Sequence, residues 1–203
     1  MDILIGTCNS YKLTEMMSLL EGVKGVKIHF MNEIEGTISV EEDQATLKAN
    51  AEKKAREISK QTDCFVLTSD GGVNIPGLGN KWDVLKSQRT VGQNKPDREK
   101  VEVLMDLMSE LKGQDRKCNY YLALALVKNG QLLWSFEDIF DSGFIVEKPA
   151  KGKIAPGLWM SHVWYYPQFN KTYVQLNETE LTEVRKQGNK IKNELQGFLV
   201  HLL

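Results

Sequence analysis

Asp2-Ile3-Leu4-Ile5-Gly6-Thr7-Cys8-Asn9-Ser10-Tyr11-Lys12 opens the chain with an apolar run, a glycine and a set of polar helix-starting residues. Ile3, Leu4 and Ile5 read as a short buried strand within Asp2–Thr7. Beyond it, Leu13, Met16, Met17 and Leu20 recur at spacings of three and four, which predicts a helix over Ser10–Glu21. Val26–Phe30 reads as a second strand. Strand, turn, helix and strand in this order are the usual opening of an α/β domain.

The remaining chain continues the alternation. Glu41–Lys60 is rich in Ala, Glu and Lys, and Leu47, Ala51, Ala55 and Ile58 make one helical stripe. Cys64–Thr68 reads as a buried strand ending abruptly in a turn, Ser69-Asp70-Gly71-Gly72. Pro76, Gly77 and Gly79 make Val73–Trp82 a loop. Asp97–Leu111 is an amphipathic helix carrying Val101, Leu104, Met105, Met108 and Leu111. Tyr120–Val127 and Gln131–Phe140 flank Asn129-Gly130, a strong signal for a type I′ hairpin. Gly143–Val146 extends that sheet, Lys151–Phe169 is irregular and aromatic, and Thr179–Leu202 forms a closing helix with a glycine in its middle. There is no internal repeat, low-complexity tract or obvious linker, so residues 1–203 are read as one domain.

Composition excludes several classes. The formal net charge is -1, from 26 Lys and Arg against 27 Asp and Glu, with the two signs interspersed. That balance offers neither a nucleic-acid-coating surface nor a basic membrane patch. Cys8, Cys64 and Cys118 are far apart and form no Cys/His cluster, so a zinc site is not expected. Cys64 and Cys118 adjoin apolar runs and read as buried thiols. No signal peptide or membrane-length apolar run is recognised, and a cytoplasmic location is expected.

Three separated segments carry residues suited to phosphate chemistry. Thr7, Asn9 and Lys12 sit where a strand meets a helix, and helix-start amides, a hydroxyl, an amide and a lysine all favour anions. Taken alone, the segment fits a capped helix with a solvated lysine equally well, and its spacing is not that of a P-loop. Glu41-Glu42-Asp43, followed by Asn50 and Lys54, supplies hard oxygen ligands of the kind Mg²⁺ takes beside substrate phosphates. The same acidic run also reads as a helix cap favoured by the macrodipole. Asp70, with Gly71 and Gly72, lies at the carboxyl end of a strand, where α/β sheets usually bind ligands. A plain Asp-Gly turn is the alternative there.

In order and spacing these segments resemble the inosine triphosphate pyrophosphatase family. The family's TxNxxK opening appears as Thr7, Asn9 and Lys12. Its EETGxTFxENAxxKAR stretch is matched at Glu41, Glu42, Thr46, Asn50, Ala51, Lys54, Ala55 and Arg56. DDSG appears as Ser69-Asp70-Gly71-Gly72, and SAR as Ser87-Gln88-Arg89. Gly143–Pro149 looks like GxIxxxP, and Tyr166-Pro167 with Lys171-Thr172-Tyr173 resembles FxPxxxxKTF. The match runs from Ile3 to about Leu176.

The resemblance implies an elongated mixed α/β sheet with flanking helices, and two lobes around a central nucleotide cleft, often in a homodimer. It implies Mg²⁺-dependent hydrolysis of a nucleoside triphosphate to the monophosphate and pyrophosphate. Carried over residue by residue, Thr7, Asn9, Lys12 and Lys54 hold the triphosphate, assisted by Asn50, Gly71 and Arg89. Glu42 and Asp70 hold the metal, and Asp70 positions or deprotonates the attacking water, with Lys54 beside it.

Departures from the family concentrate at its base-reading end. Ser69 replaces the first aspartate of DDSG. The glycine-rich FGYDP or FGWDP stretch gives way to Pro156–Trp164, in which Trp159 or Trp164 could offer a stacking face, or could be core or dimer-contact residues. His162 falls near the lost aspartate. The SHR motif is replaced by Arg185-Lys186-Gln187-Gly188, and Leu181 stands where a lysine is expected. A pyrophosphohydrolase with altered base choice therefore competes with a nucleotide-binding paralogue that has lost catalysis and serves as a sensor or partner subunit.

Overall fold

The structure is a computed structural model and describes residues 1–34 and 38–203. Seven strands form one mixed sheet: β1 (Asp2–Ile5), β2 (Lys27–Phe30), β3 (Phe65–Asn74), β4 (Lys117–Lys128), β5 (Gln131–Ile145), β6 (Trp164–Tyr166) and β7 (Lys171–Thr172). Their spatial order is β2-β1-β3-β4-β5-β6-β7. β1 pairs in parallel with β2 and β3, matching Ile3 with Ile28 and with Phe65. β6 pairs antiparallel with β5 and β7. The helices are α1 (Ser10–Leu20), α2 (Leu47–Ser59), α3 (Ser87–Thr90), α4 (Asp97–Leu107), α5 (Glu178–Arg185) and α6 (Asn189–Leu202). This is the mixed α/β arrangement expected from the sequence.

The chain divides into two compact units, neither of them continuous in sequence. The first comprises Met1–Gly71, Leu122–Asp138 and Gly188–Leu203, and the second comprises Gly72–Tyr121 and Ile139–Gln187.

In the first unit β1 is fully buried at Ile3, Leu4 and Ile5, as suits a parallel strand with a neighbour on each side. Asn9 caps α1 by accepting from the amides of Tyr11 and Lys12. The buried face of α1 is Met16, Leu19 and Leu20, whereas Met17 is exposed, so the core stripe lies to one side of the expected one. α6 packs against α1 through a buried row at Ile191, Leu195 and Leu199. Its Gln196 donates to the carbonyls of Leu19 and Glu21, satisfying the C-terminal end of α1. The hairpin between β4 and β5 turns through Asn129 (φ 50°) and Gly130 (φ 75°), the positive pair that a type I′ turn requires.

The second unit has its own core. Val101, Leu104 and Met108 meet Cys118, Ile145, Val163, Tyr166 and Val184 there. Arg116 is buried among them, and its guanidinium donates to the carbonyls of Met108, Leu111, Ile145 and Val146. It thereby ties the segment following α4 to the end of β5.

Five expectations change in detail. The second helix begins at Leu47 and not at Glu41, because Thr46 caps it by accepting from the Ala49 amide. Residues 41–46 are left as an irregular approach to the helix. Ser69-Asp70-Gly71-Gly72 is not a turn but lies inside the ten-residue β3. There Gly72 is needed for close approach, since a Cβ would stand 2.3 Å from the Val84 carbonyl oxygen. α4 stops at Leu107, with Met108 as its C-cap. The closing helix is two helices, α5 and α6, separated by a short 3₁₀ turn at Lys186–Gly188 where the chain passes from the second unit to the first. Among the thiols Cys118 is buried as expected, Cys64 is only half-buried and Cys8 is exposed.

Candidate active site

Asp70 is the centre of the site. β3 carries it as a residue only 5% exposed, in the first unit. Strand alternation sets it on the same side as Thr68, whose hydroxyl donates to the Ala51 carbonyl of α2. Three donors converge on its carboxylate. Oδ1 accepts from the Gly71 amide at 2.9 Å and faces the Lys12 ammonium at 3.4 Å. Oδ2 accepts from Asn50 Nδ2 at 3.1 Å.

A second ion pair stands beside it. Lys54 on α2 donates to Glu42 Oε1 at 2.5 Å and to the Ser69 carbonyl oxygen at 3.2 Å. The Lys54 ammonium thus links the acidic approach to α2 with the residue preceding Asp70. Asn50, one helical turn before Lys54, is 3% exposed, and its Oδ1 accepts from the Gln44 amide at 2.9 Å. Asp43 pairs with Lys53 further out, and that partner holds its carboxyl below the usual range.

The start of α1 completes the group. Thr7 Oγ1 accepts from the Asn9 amide, and Asn9 Oδ1 accepts from Tyr11 and Lys12. Two helix-start amides expected to face an anion are therefore already occupied. What this segment offers a phosphate is the Asn9 carboxamide NH₂, the Thr7 hydroxyl and the Lys12 ammonium.

Expected site residues from two sequence-distant segments thus meet at Asp70. Lys12, Asn50 and Gly71 contact it directly, and Lys54 and Glu42 form the adjoining pair. Arg89 and Trp159 belong to the second unit. Arg89 is exposed on α3. Trp159 is 3% exposed and is part of that unit's core, so the open ring face expected for a base is instead packed. Trp164 and His162 are buried as well, with His162 Nδ1 2.9 Å from the Ala150 carbonyl oxygen. The Ser69 carbonyl and the Gln44 amide were missed in the sequence, because backbone groups carry no residue-type signature.

Both carboxylates, Glu42 and Asp70, are hard oxygen donors of the kind Mg²⁺ accepts. Among the described residues no group of three or more His, Cys, Asp or Glu could hold a metal unaided. A pair of carboxylates suits an ion that takes its remaining ligands from water and substrate phosphates.

A model of the Ham1 family matches residues 3–193. The chain belongs to the Ham1 family. Curated relatives named dITP/XTP pyrophosphatase include those of Rhodopirellula baltica, 28% identical over 100% of this chain and 93% of the relative, and Clostridium perfringens, 25% identical over 97% and 98%. Among solved structures, a HAM1 protein from Coxiella burnetii superposes with a TM-score of 0.79 at 25% identity, covering 99% of both chains. The Staphylococcus aureus Ham1 protein, at 22% identity and a TM-score of 0.75, shares the fold. These findings bear out the family resemblance read from the motifs. They add that the fold matches that of solved Ham1 structures.

Proposed function

We propose that the chain is a nucleoside-triphosphate pyrophosphohydrolase that converts an NTP or dNTP to the monophosphate and pyrophosphate with the help of Mg²⁺. The observation that carries this reading is the buried Asp70, fixed by Gly71, Asn50 and Lys12 beside the Lys54–Glu42 pair. The names of the Ham1 relatives support the same reaction.

In this reading each carboxylate has a lysine partner until substrate arrives. The triphosphate competes for Lys12 and Lys54, which turn to its oxygens together with Thr7 and Asn9. Cations placed at the phosphates stabilise the negative charge that builds in the transition state. Asp70 then orients the attacking water and takes up its proton, aimed by the Gly71 amide and Asn50. Glu42 and Asp70 would hold Mg²⁺, which supplies Lewis-acid neutralisation of the phosphate oxygens. The bond broken lies between the α and β phosphates.

Base choice in this reading differs from the family's, because Trp159 is packed and the FGYDP and SHR residues are replaced. Arg89 is an additional phosphate contact in the proposal, and the enzyme is a cytoplasmic homodimer. Among the described residues no helix is long and apolar enough to cross a membrane.

The test is pyrophosphate release with Mg²⁺ over standard, deaminated, oxidised and methylated nucleoside triphosphates, beside Asp70→Asn. Turnover of some substrates, lowered at least about a thousandfold in the variant, is expected for loss of the group that orients water. A folded, metal-supplied protein silent on the whole panel refutes the reading. Ser69 favours a second reading, a binding paralogue without catalysis: it replaces a family carboxylate, and its buried hydroxyl has no hydrogen-bond partner among the described residues. Saturable nucleotide binding without pyrophosphate release would establish that alternative.

A further inference from the structure

Asn50 was expected among the ligand contacts, but its surroundings give it a different task. The residue is 3% exposed, and both ends of its carboxamide are engaged. Nδ2 donates to Asp70 Oδ2 at 3.1 Å, and Oδ1 accepts from the Gln44 amide at 2.9 Å. The fork in one amide therefore joins β3, which carries Asp70, to the irregular approach to α2, which carries Glu42, beside the link that Lys54 makes between Glu42 and the Ser69 carbonyl. α2 itself supplies the rigid base, since Asn50 lies in its first turn, directly after the Thr46 cap.

We propose that Asn50 is a positioning residue that acts through Asp70 and contributes no substrate contact of its own. With Gly71 on Oδ1 and Asn50 on Oδ2, the carboxylate plane is fixed by a donor on each oxygen. Of these two donors, only Asn50 can be altered by substitution while the β3 backbone is left as it is. The amide chemistry matters because a side chain at this position must accept from Gln44 and donate to Asp70 at once. A carboxylate can accept but not donate, and a hydrocarbon can do neither. The inference rests on the proposed pyrophosphohydrolase reading.

The two ends separate cleanly in the test. Asn50→Asp keeps the acceptor for the Gln44 amide and loses the donor to Asp70, while Asn50→Ala loses both. Steady-state pyrophosphate release on the best substrate from the panel is measured for wild type, both variants, Asp70→Asn and Asn50→Ala/Asp70→Asn. Misplacement of a reacting group by about 1 Å costs on the order of a hundredfold in rate. Both single variants are expected to lose about that much in kcat, with KM unchanged within about threefold, because Thr7, Asn9, Lys12 and Lys54 are untouched. The double variant is expected to be no slower than Asp70→Asn alone, since residues acting through one group are not additive. Thermal unfolding accompanies each variant, so that loss of fold is not read as loss of rate.

A wild type that turns over, with Asn50→Asp within threefold of it in kcat, overturns the inference and leaves the proposed function standing. The same holds if KM rises while kcat is retained, or if the double variant multiplies the two losses. A wild type silent on the whole panel removes the proposed function, and this inference falls with it.

Discussion

Replacing Arg116 by methionine should strip the second unit of a buried cation that donates to four main-chain carbonyls. The guanidinium donates to Ile145 at 2.7 Å, to Met108 at 2.7 Å and to Leu111 at 2.9 Å, with a fourth bond to Val146. All four acceptors are main-chain carbonyls. Burial lowers the pKa of the guanidinium, and Glu147 only partly opposes that effect. Hydrogen bonds from a charged donor contribute about 1.5–3 kcal/mol each, so four give an upper bound of roughly 6–12 kcal/mol. The removed cation no longer has to be desolvated, and the Met108 carbonyl keeps a second donor in the Leu111 amide. A net loss of about 3–5 kcal/mol is therefore expected, comparable to breaking a buried charged network. For a chain of this size, each kcal/mol moves Tm by about 2–4 °C, so Tm should fall by roughly 6–20 °C. Differential scanning calorimetry of Arg116→Met and Arg116→Lys against wild type measures it. The lysine variant should fall between the two, because an ammonium keeps the charge but not the planar fork. A methionine variant within about 2 °C of wild type would refute the reasoning, by showing that the carbonyls find other donors at no cost.

Two titrating groups each lower the stability of the fold as pH rises, one by losing a favourable charge and the other by gaining an unfavourable one. His29 lies between Glu33, 2.6 Å from Nδ1, and Asp2, 2.9 Å from Nε2, and both raise its pKa. A raised histidine stabilises the fold fully below its unfolded value of about 6.5, and the effect disappears as pH rises through the folded value. The two carboxylates, held below their usual range by His29, extend that stabilisation into the acid region until they protonate. The Tm advantage of wild type over His29→Gln should thus be largest near pH 6 and gone by about pH 9; an advantage that grows toward alkaline pH would contradict the pairing. Asp141 loses stability in the same direction for a different reason: burial pushes its pKa up to about 7, against the lowering effects of the Tyr166 hydroxyl, which donates to Oδ2, and the Ser142 amide. An acid with a raised folded pKa costs stability as pH climbs from its unfolded value to its folded one. Asp141→Asn, which keeps an acceptor for Tyr166, should match wild type near pH 4 and exceed it in Tm by pH 8. Equal Tm at pH 8 would remove the claim.

Much of this protein follows from residue order alone. The buried run Ile3-Leu4-Ile5, the capped helix after Asn9, the stripe on Leu47, Ala51, Ala55 and Ile58, and the Asn129-Gly130 turn are local, because periodicity and positive-φ demands act within a few residues. So are the family motifs, whose spacing marks Lys12, Glu42, Asn50, Lys54 and Asp70 before any contact is known. Tertiary structure decided what those residues do to one another. Strand pairing drew Ser69-Asp70-Gly71-Gly72, a turn by composition, into the middle of β3, because ladder hydrogen bonds and the close approach of Val84 outweigh the local preference of Asp-Gly. Packing placed Trp159 in a core, where its sequence neighbours had allowed a surface role. Asn50 became a link between Gln44 and Asp70 only once α2 and β3 were adjacent. A side chain's chemistry is written in its own letter, but its partners are set by chain segments up to scores of residues away, and only folding brings them within 3 Å or so, the reach of a hydrogen bond.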